Sequence, residues 1–146
     1  MLVRLLYASR AAGNISGDVI KAILTRSREH NPKNGITGVL CTCQSGDVFM
    51  QVLEGSRDAV NRLYANIGRD SRHHTVTLLY YSEIGERRFA GWRMGSVDLN
   101  RVNQSTILRF SEKPALDPFT MTGEGAMALL SELISTAAIV SRDDCG

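Results

Sequence analysis

Hydrophobic and polar positions alternate along this chain with two periods, and the switches between them mark out its elements. Residues 2–9 alternate as a strand, with Val3, Leu5 and Tyr7 on one face and Tyr7 the polar-tipped member. A helical period follows through Val19, Ile20, Ile23, Leu24 and Ser27, which Ser16 can cap and Pro32 stops. Strand patterns return at 36–43 and 47–55, joined through Gln44-Ser45-Gly46-Asp47, a short polar loop of hairpin type. Val60, Leu63, Tyr64 and Ile67 then give one apolar stripe to a second helix running from near Ser56 to around Gly68. Further strands are predicted over 76–82 and 92–97, the latter carrying Trp92 and Met94 in step on one face. The order β-α-β-β-α-β-β predicts a ferredoxin-like α+β architecture, a mixed five-stranded sheet with two helices on one face. Two more helices are expected over 99–110 and 123–138, separated by a loop containing Pro114 and Pro118. In the last of them Met127, Leu130, Leu133, Ile134 and Ala137 form a stripe, with Leu129 adjoining. Such a stripe must bury itself against its own sheet or against another subunit. The expected organisation is a domain over 1–98 and a helical extension over 99–146.

Polar residues interrupt this apolar pattern at informative places. Gln51 shares a strand face with Phe49 and Leu53, where burying an unpartnered carboxamide costs roughly 1–3 kcal/mol. Either a neighbouring backbone or side chain satisfies it, or a ligand does. The phenol of Tyr7 carries the same requirement. Asn31 lies at the end of the first helix, and its place before Pro32 disfavours helical dihedrals and projects it from a bend.

Composition narrows the classes of function. With 146 residues and 43% hydrophobic content the chain suits one globular domain with an ordinary core. Its 17 lysines and arginines nearly cancel 15 acidic residues, to a net +2, and no basic run is interleaved with aromatics, so nucleic acid is not an expected partner. No apolar stretch reaches the roughly 20 residues that cross a bilayer. Met1-Leu2-Val3-Arg4 leads directly into a strand rather than a signal peptide, and a cytoplasmic location without membrane attachment is expected. Three cysteines argue against a disulfide framework; Cys41 and Cys43 share a strand face and should pack as small hydrophobes, while Cys145 lies in the tail. His30, His73 and His74 offer no recognised zinc spacing, and no metal is expected. Neither a glycine-rich dinucleotide loop, a P-loop nor a nucleophile elbow is present.

Several motifs occur together in a distinctive order: His30-Asn31, Asn34-Gly35-Ile36-Thr37-Gly38, Phe49-Met50-Gln51-Val52-Leu53-Glu54-Gly55, Arg69-Asp70-Ser71-Arg72-His73 and Trp92-Arg93-Met94. With Tyr7 in the first strand, this constellation resembles the BLUF family of blue-light sensors that use FAD, over a stretch from Leu5 through Met94. Ile107-Leu108-Arg109-Phe110-Ser111 and the final helix are similar to the tail of the short, stand-alone members, which carry no fused output domain.

The resemblance implies a photoreceptor with a reversible photocycle rather than an enzyme. It implies bound FAD, with FMN or riboflavin as possible substitutes because the contacts concern the shared ring. Tyr7 would donate an electron and proton, Gln51 would face the ring's N5 and rotate or tautomerise, and Trp92 and Met94 would respond on the fifth strand. Asn31 would hold the N3-H edge, Arg72 and His73 the other carbonyl, and Asp70 would brace their turn. Ile23, Ser27 and Ile67 would line the slot for the ring, although as residues they read equally well as core, and Trp92 reads also as a passive core aromatic. His74 is given a surface role only. The family implies signalling to a separate effector protein by a homo-oligomer, either a dimer or a ring. The alternatives on the same fold are an acylphosphatase-like hydrolase using Arg10 and Asn31, and a flavin-free binding module in which Gln51 and Tyr7 satisfy each other.

Overall fold

The computed structural model describes residues 1–13, 17–43 and 47–135. The expected cap Ser16, the loop residues Gln44, Ser45 and Gly46, the side chain of Ile134, and Ala137 and Cys145 lie outside the described residues.

Alternation at period two builds β1 (Leu2–Ala11), β2 (Thr37–Cys43) and β3 (Val48–Ser56), and the apolar stripes build α1 (Gly17–His30) and α2 (Arg57–Gly68). β4 (His73–Ile84) and β5 (Gly95–Asp98) complete a sheet ordered β4-β1-β3-β2-β5. All neighbours are antiparallel except β2 and β5, which run parallel. This is the ferredoxin-like α+β arrangement with a fifth strand added at the β2 edge. Ser56 caps α2 by accepting from the Ala59 backbone N–H at 3.2 Å.

The sheet is buried on both faces. On one, Val3, Leu5, Tyr7, Leu40, Phe49 and Leu53 pack against Leu24 of α1 and Val60 of α2, with Ile20, Ile23, Leu63, Tyr64 and Ile67 half-buried around them. On the other, Leu6, Val39, Cys41, Met50 and Val52 meet Ala126, Met127, Leu129, Leu130 and Leu133 of α4 (Gly123–Ser135). Met127, Leu130 and Leu133 of the C-terminal stripe therefore bury against their own sheet. Gly123 makes that approach possible, because a Cβ there would stand 2.0 Å from the Leu79 carbonyl oxygen. Cys41 and Cys43 are free and buried on this face, and burial pushes the Cys41 thiol up to about 12.

Four local expectations need correction. The fifth strand begins at Gly95, not at Trp92, because the Trp92 N–H turns back to the Phe89 carbonyl at 3.0 Å. Trp92 and Met94 consequently face opposite ways: Trp92 packs with the α4 cluster, while Met94 is fully buried on the α1 side. Asn31 keeps helical dihedrals (φ −64°, ψ −41°) despite preceding proline, because its N–H completes the α1 ladder to Ser27 and its carbonyl accepts from Asn34 and Ile36. The helix expected over 99–110 is a 3-10 turn, Leu99–Arg101, followed by the short α3 (Gln104–Leu108), since the Asn103 side chain accepts from the Ser105 N–H and starts a new helix there.

Candidate functional site

Strand register assembles the site. β1 and β3 pair so that Tyr7 lies opposite Gln51, and β2 places Leu40 on the other side of the same glutamine. Both Tyr7 and Gln51 are 4% exposed. The Tyr7 hydroxyl donates to Gln51 Oε1 at 2.6 Å, and Gln51 Nε2 donates to Met94 Sδ at 3.3 Å. The buried amide is thus engaged at both ends. Burial pushes the Tyr7 phenol well above its ordinary value, with Tyr64 and Asp70 adding and Arg72 opposing, so it stays protonated and donates. With Tyr7 donating, the amide presents its oxygen to Tyr7 and its nitrogen to Met94.

Above this pair, α1, α2 and the α2–β4 turn enclose a cavity of about 810 Å³. Its apolar walls include Ile23, Ile67, Leu63 and Ala59 from the helices and Leu40 and Phe49 from the sheet. Asn31, Gln51, Ser27, Asp70, Arg72 and His73 supply polar groups, and Arg26, Arg62 and Arg69, all exposed, add cations to the lining. Every residue expected at the ring therefore lines one cavity. Trp92 and Met94 are not among its lining residues, and Met94 meets the site with its sulfur on the Gln51 amide.

The Asp70 turn is built as a fork. Asp70 Oδ1 accepts from the Arg72 backbone N–H at 2.9 Å, and its carboxylate takes Nε at 3.0 Å and Nη2 at 2.5 Å. The Arg72 hydrogen bond, with its charge, holds the Asp70 carboxyl down to about 2. His73 is bound on both ring nitrogens, Nδ1 to the buried Ser9 hydroxyl at 2.7 Å and Nε2 to the Ile67 carbonyl at 2.5 Å. Nε2 faces only an acceptor and so carries a proton. In this arrangement neither nitrogen is left over for a ligand; the imidazole instead stands edge-on to the Tyr7 and Phe49 rings. His74 is exposed. Arg10, the cation of the hydrolase alternative, lies 4.4 Å over the Phe119 ring and does not line the cavity with Asn31.

Sequence reasoning missed Leu40, Phe49 as a wall residue, and Arg28. The signal for Arg28 was available: it follows Ile20 and Leu24 at intervals of four, which puts a cation on an apolar stripe. Glu54 was another surprise. It is fully buried and accepts from Arg4 Nε at 2.8 Å, from the Phe89 N–H at 2.7 Å and from the Arg88 N–H at 3.0 Å.

Flat apolar walls with amides and a cation at the edge are the donor set that a flavin ring requires, and the volume lies within the roughly 300–1,000 Å³ usual for such ligands. Fold and cavity together define a ferredoxin-like domain with a deep, amide-edged slot between its helices and its sheet. The chain belongs to the BLUF family, sensors of blue-light using FAD, whose model matches residues 2–95. Members of this family are flavin-binding blue-light photoreceptors in sensory signalling. The photoactivated adenylate cyclase subunit beta of Euglena gracilis is 34% identical over 96 residues, which is 65% of this chain and 11% of that protein. The blue light- and temperature-regulated antirepressor BluF of Escherichia coli (strain K12) is 26% identical over 122 residues, covering 84% of this chain and 30% of that protein. The chain thus spans about a tenth of the cyclase subunit it matches. Among solved structures, BlsA in its photo-activated state superposes with a TM-score of 0.81 at 32% identity, over 97% of this chain and 98% of that one. BlrB, a BLUF protein in its dark state, gives 0.72 at 30% identity over 93% and 96%. No helix among the described residues is long and apolar enough to cross a membrane.

Proposed function

We propose that this chain is a blue-light photoreceptor whose switch is the Tyr7–Gln51–Met94 hydrogen-bond network at the floor of the flavin cavity. The observation that carries the reading is the buried amide of Gln51, held by a phenol donor at 2.6 Å on one end and a thioether acceptor at 3.3 Å on the other. Bound oxidised flavin supplies the absorption of blue light and, once excited, an acceptor for one electron. Tyr7 is the donor, and the proton on its hydroxyl already points at Gln51 Oε1. As the electron leaves, that proton passes onto Gln51 Oε1, and both return to Tyr7 when the pair recombines, so the bond that fixed Oε1 is released in between. Rotation or tautomerisation then exchanges donor and acceptor ends of the amide within the same volume. Asn31, Ser27 and Arg72 orient the ring edge, Ile23 and Ile67 flank its faces, and Asp70 and His73 hold the turn and the cavity wall.

No bond of a substrate is made or broken in this cycle, so the chain acts as a receptor without turnover. The output is a change in the segment that carries Met94 and Trp92, passed to a separate effector protein in the cytoplasm by a homo-oligomer. Residues 99–146 form its assembly and output surface. FAD is the cofactor, with FMN and riboflavin able to fill the same ring site. Tyr7→Phe tests the reading: the variant retains flavin, because the apolar slot is preserved, but shows no reversible red shift under blue light. An unchanged light-minus-dark spectrum would remove Tyr7 from the mechanism.

A further inference from the structure

Arg28 takes no part in the mechanism above, yet its guanidinium reaches from α1 to the segment that carries the switch. It is half-buried, one residue beyond the cavity-lining Ser27, and it donates to the Met94 backbone carbonyl through Nη2 at 3.0 Å and Nε at 3.3 Å. Met94 precedes β5, so its place comes from individual contacts along the loop. The buried Glu54 carboxylate takes the Arg88 and Phe89 N–H groups, the Gly38 N–H takes the Trp92 carbonyl at 2.9 Å, and Arg28 takes the Met94 carbonyl. Of these three holds, the one at Met94 comes from a helix that also walls the cavity.

We propose that Arg28 is a positioning residue of the photoswitch, holding the Met94 backbone where its sulfur meets the Gln51 amide and so stabilising the resting orientation of that amide. The inference rests on the Tyr7–Gln51–Met94 reading. An N–H···S bond is weak, and a methionine side chain rotates about three bonds, so the contact recurs only if the backbone beneath it is held. An arginine fork meets this need because two of its N–H groups converge on one oxygen, where a lysine offers a point charge on a flexible stem. Held this way, Met94 stands ready to receive Gln51 Nε2 each time the network returns to rest.

The test uses the full chain loaded with flavin and labelled with methyl-13C methionine. Arg28→Ala is expected to shift and broaden the Met94 methyl resonance while flavin content and the resting absorption maximum stay as they are, and Arg28→Lys to restore the resonance position only in small part, because a single ammonium cannot reproduce the two-N–H fork on the Met94 carbonyl. Dark recovery slows about tenfold in Arg28→Ala, because the state being re-formed has lost a stabilising contact. In a Met94→Leu background the same substitution changes recovery less than about twofold, since the effect travels through the sulfur. An unmoved Met94 methyl, a faster recovery, or an equal effect with and without the sulfur would overturn the proposal. If the unsubstituted protein shows no red shift, the network reading has failed, and the methyl resonance still decides whether Arg28 holds Met94. Should Arg28→Ala not fold, Arg28→Gln carries the same comparison.

Discussion

At the scale of single residues, the two cavity amides are held by different means, and that separates their roles. Gln51 is fixed through its side chain, between Tyr7 and Met94. Asn31 is fixed through its main chain: its N–H donates to the Ser27 carbonyl at 2.8 Å, and its own carbonyl accepts from Asn34 at 3.1 Å and Ile36 at 2.8 Å. Its side chain can therefore serve the ligand without supporting the fold. Asn31→Ala should leave the α1 terminus intact and cost about 1 kcal/mol of flavin affinity, roughly fivefold in Kd. Fluorescence titration of the deflavinated variant with FAD, beside its thermal midpoint, checks this. Unchanged affinity would take Asn31 out of the ring site. A fall in midpoint matching the fall in affinity would make it a structural cap.

At the scale of elements, the turn between α2 and β4 shows how a local electrostatic fork shapes the cavity wall. The Asp70 carboxyl titrates near 2 in the folded chain against an ordinary 3.8, so its pair with Arg72 favours the folded state at neutral pH. A depressed folded value means that the contribution is fully present above about pH 4 and is lost as pH falls toward 2. Both partners are part-exposed, which limits the pair to about 0.5–1 kcal/mol. The stability gap between the native chain and Asp70→Asn should stay constant from about pH 8 to pH 5 and narrow below about pH 4 in urea titrations. A gap that closes already near neutral pH would assign the effect to another group. Elements such as β1 and β3 were legible in the sequence because alternation sorts their side chains between two buried faces, whereas the pairing of Tyr7 with Gln51 came from the family resemblance, since alternation alone does not set the register between two strands. The stretch from Phe89 to Met94 was not, because its backbone turns and period two no longer says which face a residue takes. The hold of Ser9 and Ile67 on His73 was equally out of reach, since it depends on how β1, the end of α2 and β4 meet in space.

At the scale of the whole molecule, one sheet serves two compartments, and successive residues of the same strand belong to different ones. Tyr7 and Gln51 face the cavity, while Leu6, Met50 and Val52 face α4. The loop that ends in Met94 links the two sides, since Trp92 packs with the α4 cluster and Arg88 Nη1 donates to Ser131 Oγ of α4 at 2.5 Å. Because α4 covers the sheet, a chain ended near residue 100 would leave Leu6, Val39, Cys41, Met50 and Val52 uncovered, and removing the extension would confound output with folding. A point change inside the α4 interface separates them. Leu130 is 1% exposed in that interface, so Leu130→Ala should cost about 2–5 kcal/mol in stability through the cavity it leaves. Its flavin band and light-induced red shift should remain those of the native chain, because no described residue of α4 lines the cavity. Chemical denaturation and a light-minus-dark spectrum on the same sample make the comparison. Loss of the red shift in a variant that is still folded and flavin-loaded would mean that α4 holds the resting network in place. The two faces of the sheet would then act as one unit rather than as sensor and reporter.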